Sequence, residues 1–86
     1  MCTLKFKRSV QGDFKRIGRE AAGKVLDAIR KELLTDPRAG KHLKGNDGML
    51  WSHRVGDYRI VYTFNDAELV LLVVRVGHRR EVYRGL

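Results

Sequence analysis

An unbroken apolar run, Leu69 to Val74 in the stretch ELVLLVVRVG, constrains the fold more than any other feature of this chain. It is far too short to cross a bilayer, and as a strand it would be apolar on both faces. It reads as a central strand of a sheet covered on one side by helices. Gly77 breaks it, and around the break RVGHRREVY gathers Arg75, His78, Arg79, Arg80 and Tyr83. A short further strand is expected at EVY, residues 81–83.

The preceding segments fill in the architecture. TLKFKRS alternates Leu4 and Phe6 with Thr3, Lys5 and Lys7, the pattern of a half-buried first strand. Ser9 offers an N-cap to a short helix in which Val10, Phe14 and Ile17 recur at helical spacing, and Gly18 closes it. From Glu20 onward Ala22, Val25, Leu26, Ile29 and Leu33 form one apolar stripe, while Lys24, Asp27, Arg30 and Lys31 lie largely off it. Pro37 stops this second helix, because Asp36 before it is pushed out of the helical region. Gly40 to Gly48 reads as a basic connecting loop anchored by Leu43. LWSHRV and YRIVYTF read as strands parted by Gly56-Asp57, a hairpin turn in the reverse of the commoner Asp-Gly order, and Asn65-Asp66 marks the next turn. The expected fold is α+β: two N-terminal helices packed on one face of a mostly antiparallel four-stranded sheet, order β-α-α-β-β-β, as a single domain over residues 1–86.

Charge narrows the partners. Eighteen Lys and Arg against ten Asp and Glu give a formal net charge of +8, a field that draws in polyanions whatever the fold. The single cysteine, Cys2, makes no internal bridge, and no Cys/His cluster has zinc spacing. No cofactor and no metal are expected. With no signal peptide and no membrane-length segment in view, the cytoplasm is the expected compartment.

Strand alternation sorts the candidate residues. Ser52 and Arg54 share one face of their strand and Trp51, His53 and Val55 the other; Arg59, Val61 and Thr63 oppose Tyr58, Ile60, Tyr62 and Phe64, the better core face. Arg59 stands alone among apolar and aromatic neighbours, either snorkelling at a strand end or placed to meet an anion. A sheet face displaying Arg54, Arg59 and the cluster after Val76 would seat a phosphate backbone, since guanidinium groups pair bidentately with phosphate oxygens. Trp51 is assigned to core packing, and Glu81 to holding Arg79 or Arg80.

With LWSHRVGDYRIVY (50–62) and VVRVGHRREVY (73–83) in this order, the chain resembles the RelE/ParE superfamily of toxin–antitoxin toxins, the RelE-type branch more closely. The resemblance implies a ribosome-dependent endoribonuclease that cleaves mRNA in the A site. Its ribose 2′-hydroxyl attack leaves a 2′,3′-cyclic phosphate and a 5′-hydroxyl. It also implies a RelB-like antitoxin as partner and operator DNA contacted only through the antitoxin complex. Carried over, Arg59 takes the phosphate-binding position, Arg79 the later active-site arginine, Tyr83 the residue that orients or stacks on substrate, and Arg54 a basic position of the strand before the hairpin. Ser52 departs from the pattern, standing where the best-studied branch has a lysine proposed as general base. A hydroxyl is a poor substitute, and His78 is the candidate replacement. A gyrase-directed, ParE-like toxin of the same fold is the alternative, and a catalytically weak antitoxin-binding homologue a third.

Overall fold

The computed structural model describes residues 3–43, 49–78 and 82 of the chain. Its elements run β1 (Thr3–Phe6), α1 (Val10–Ile17), α2 (Arg19–Ala28), β2 (Lys41–His42), β3 (Trp51–Val55), β4 (Tyr58–Asn65) and β5 (Val70–His78). The sheet order is β1-β5-β4-β3-β2. β5, which carries most of the apolar run, lies between β1, to which it is parallel, and the antiparallel β4. Both helices pack on one face, where Val10, Val25, Ile29 and Leu33 meet Ile60, Tyr62, Leu71, Val73 and Val76 in the core. Among the described residues no helix is long and apolar enough to cross a membrane.

The apolar stripe of α2 is buried at Ala21, Val25, Ile29 and Leu33, a strict spacing of four. An α-helix drifts sideways over such a line, because four residues exceed one turn. The chain corrects the drift by widening into a π-turn over Ile29–Leu33, with the Leu34 amide bonded to Ile29 O at 2.9 Å. Asp36 is extended (φ −142°, ψ 93°), as the following proline demands, and Pro37 opens a 3₁₀ turn, Pro37–Ala39. At the β3–β4 turn Gly56 has φ 59°, while Asp57 keeps a negative φ. A positive φ at the first central position alone is the type II′ pattern, which accounts for the Gly-Asp order.

Among the described residues the sheet has five strands, which corrects the expectation of four. The additional strand, β2, lies in the segment read as a loop, with Lys41 paired to Ser52 and His42 to Trp51. Two residues are too few to show any alternation, so pairing alone makes this a strand. Of the strand expected at 81–83, Glu81 and Tyr83 lie outside the described residues, and Val82 sits in a turn whose N–H donates to His78 O at 3.0 Å. β5 also carries a bulge: Tyr62 pairs with Val73 and Val61 with Arg75, leaving Val74 as the extra residue.

Tyr62 ties the sheet to the loop after α2. Its side chain is fully buried, and its hydroxyl donates to Pro37 O at 2.5 Å while accepting from the Gly40 amide at 3.2 Å. Burial, opposed by the Gly40 amide and helped by the Asp36 carboxylate, pushes the phenol from 10.0 up to about 12. An acid whose pKa rises on folding stabilises the fold fully below its unfolded value and loses that contribution as pH climbs through the folded one. Tyr62→Phe is expected to lower the unfolding free energy by about 1–3 kcal/mol at neutral pH, measured by urea denaturation. The gap between wild type and variant should then narrow as pH rises from about 10 toward 12.

Candidate functional site

Pairing register fixes which side chains share the sheet face turned away from the helices. Arg54 of β3 stands directly opposite Arg59 of β4, and Arg59 directly opposite Gly77 of β5. The adjacent row holds Lys41, Ser52, Val61 and Arg75, and the one beyond it Thr63, Leu72 and Lys5. The face therefore presents five cations and, in these rows, no carboxylate. Like charges placed directly opposite each other on a sheet repel, so the Arg54–Arg59 pair is an arrangement that an anion between the guanidinium groups would relieve. Arg54 is exposed and is steadied by its own turn, its Nε donating to Gly56 O at 3.0 Å. Arg59 and Arg75 are half-buried, and Gly77 leaves the position beside Arg59 without a side chain.

Ser52 lies on this face but is only 2% exposed. Its hydroxyl is thus shielded as well as weakly basic, and it does not stand in for a lysine at that position. Trp51 and His53 turn to the opposite, helix-covered face, as alternation requires. Trp51 packs at 5.3 Å from Phe64 and 5.1 Å from the exposed His42, and His53 Nε2 lies 2.9 Å from Glu32 Oε2.

His78 also faces the helix side. It pairs in register with Tyr58, their ring centroids 6.0 Å apart and nearly perpendicular. Together they line a groove of about 690 Å³ at the end of β5, walled by Ser9, Asp13 and Arg16 of the α1 segment. The structure thus brings Arg54 and Arg59 together and turns His78 to the other side of the sheet. Arg79 and Tyr83 lie outside the described residues, as do Arg80 and Glu81.

Sequence reasoning did not assign three cations, Lys5, Lys41 and Arg75, to this face. Arg75 follows Val73 by two positions and, by simple alternation, would point into the core beside it; the bulge at Val74 reverses its direction. Lys41 enters through β2, which has no sequence signature. The groove was passed over too, because it joins α1 to a strand some sixty residues later. Among the described residues no group of His, Cys, Asp and Glu is placed to hold a metal ion.

The comparisons with known proteins agree with this geometry. The family model described as the ParE toxin of type II toxin–antitoxin systems (parDE) matches residues 4–83. The chain is similar to the toxin RelG of Mycobacterium tuberculosis, 28% identical over 83 residues that span 95% of each chain. It is 32% identical to the toxin RelE of the same organism over 73 residues, 84% of this chain and 75% of that one. It also resembles a chain in the crystal structure of the toxin–antitoxin complex RelBE2 from Mycobacterium tuberculosis. There the TM-score is 0.82 at 26% identity, covering 91% of this chain and 98% of that one. A family match over nearly the whole chain, together with this fold and this basic sheet face, leads to one conclusion: the chain belongs to the RelE/ParE family and is a toxin of the type II toxin–antitoxin class.

Proposed function

We propose that the chain is a ribosome-dependent endoribonuclease that cuts mRNA in the ribosomal A site and so arrests translation. The observation that carries this reading is the register pair Arg54–Arg59, two arginines side by side on the sheet face that the helices leave free. In the reaction the ribose 2′-oxygen attacks the neighbouring phosphorus, its proton leaves, and the 5′-oxygen departs and takes up a proton. The products are a 2′,3′-cyclic phosphate and a 5′-hydroxyl, and no cofactor enters the balance.

The chemistry asks for alignment, charge stabilisation and proton transfer. Ribosome-held message supplies much of the alignment. Arg59 grips the scissile phosphate, with Arg54 beside it, and Arg79 adds charge to the phosphorane; such preorganised cations are a large part of catalysis at an anionic transition state. Tyr83 orients or stacks on the substrate base. Proton removal is the weak point, since Ser52 is shielded and His78 would have to reach around the end of β5 to serve as base. A weak base costs rate, about 10²–10⁴-fold, rather than abolishing the reaction.

The RelBE2 toxin of Mycobacterium tuberculosis crystallised with its antitoxin, and we extend that assembly here. A RelB-like antitoxin covers the basic surface, and operator DNA is met only through that complex. A second reading, gyrase inhibition, is favoured by the ParE description of the matching family model.

Expression without antitoxin is expected to stop protein synthesis and leave codon-phased mRNA 5′ ends on translating ribosomes. Intact message alongside gyrase-trapped, cleaved DNA would favour the second reading instead. Arg59→Ala should slow cleavage on programmed ribosomes by about 10²–10³-fold in single-turnover assays. His78→Gln should stay within about tenfold of wild type; a loss nearer 10³-fold would make His78 the base after all.

A further inference from the structure

We infer that Asp13 and Arg75 are positioning residues that fasten the end of β5 and Val82, the points that Arg79 and Tyr83 follow in the chain. The inference rests on the nuclease reading above for its consequence and on separate geometry for its mechanism.

β5 has two different halves. Through Val73 it is bonded on both sides, and β1 ends there, with Phe6 paired to Val73 and the Lys7 amide donating to Val73 O at 2.8 Å. The bulge at Val74 follows, and from Arg75 to His78 β4 is, among the described residues, the strand's single ladder partner. A strand end bonded on one side opens more easily than its doubly bonded half. On the nuclease reading this weaker half matters, because Arg79 is the next residue in the chain after His78.

Two side chains make good the missing strand. Asp13 on α1 stands where β1 would have continued, and its Oδ2 accepts the Val76 N–H at 3.1 Å. Its side chain is 13% exposed, and its other oxygen lies 3.9 Å from Arg16 Nη1. The carboxylate replaces a β1 carbonyl as acceptor and pins the strand to the helix. A charge-assisted bond of this kind is stronger than the neutral one it replaces.

Arg75, on the opposite side of the sheet, reaches forward: its Nη1 donates to Val82 O at 3.1 Å. Val82 is held a second time by its N–H on His78 O, and its side chain rests against Gly77, where a Cβ would lie 3.8 Å from it. Val82 is consequently 1% exposed. The chain is thus fastened at Val76, His78 and Val82, so that Arg79 directly follows one fixed point and Tyr83 directly follows another.

Amide exchange and cleavage kinetics together test this. In Asp13→Ala the Val76 amide should exchange at least tenfold faster while the Ile60 and Tyr62 amides keep their protection, and Asp13→Asn, which retains an acceptor oxygen, should restore it. Arg75→Met, which keeps length but removes the donor, should do the same to the Val82 amide. On programmed ribosomes both disruptive variants should lose tenfold or more in kcat with KM within about threefold, and Asp13→Asn should recover most of that loss. Unchanged exchange at Val76 and Val82 would overturn the clamp. Faster exchange with unaltered kcat would overturn its catalytic consequence. A raised KM at constant kcat in Arg75→Met would make Arg75 a substrate contact instead. If the wild-type chain leaves ribosome-bound message intact, the nuclease reading falls, and the exchange data alone decide the clamp.

Discussion

The chain's first strand pairs with its last, and the rest of the structure depends on that pairing. Because β1 lies parallel to β5, the segment between them must carry the chain back across the sheet, and α1 and α2 do so on a single face. The helices bury one side of β4 and β5 and leave the other to Arg54, Arg59 and Arg75. A small domain has little core to spare, so the cations gather where burial asks least of them. The basic face follows from the topology as much as from the charge count.

Periodicity made much of this legible. Leu4, the stripe through Val25, Ile29 and Leu33, and the opposed faces of β3 and β4 all follow from the spacing of apolar residues, and the structure places them so, although Phe6, expected beside Leu4 on the buried side of β1, stays exposed. The pairing of Arg54 with Arg59 follows from the same alternation once the two-residue turn at Gly56-Asp57 is assigned. What escaped has a common cause: it is written in contacts rather than in spacing. β2 is a strand because Lys41 and His42 meet Ser52 and Trp51, and two residues have no period. Asp13 reads as an ordinary first-turn acid of a helix, and its partner, Val76, is remote in sequence.

Tyr62 and Asp13 solve related problems by different means. Each is a side chain that satisfies backbone groups where regular structure has run out: Tyr62 at the loop after α2, Asp13 at the edge that β1 abandons. A neutral phenol does this in full burial, where a charge would be costly. A carboxylate does it beside a groove, with an arginine near its second oxygen. The depth of each site matches the charge of the group that occupies it.

The bulge at Val74 has a consequence for how such a chain tolerates changes of length. Every residue after it is out of phase with every residue before it, so Val76 rather than Arg75 continues the inward line of Leu71 and Val73. Losing Val74 would place Arg75 directly after Val73, so simple alternation would keep the guanidinium outward and Val76 inward, whereas ironing out the bulge with every residue kept would drive a guanidinium into the core and a valine into water. Loss of the bulge and loss of its extra residue are therefore not equivalent, and the phase of a single residue decides which side of the sheet Arg75 takes.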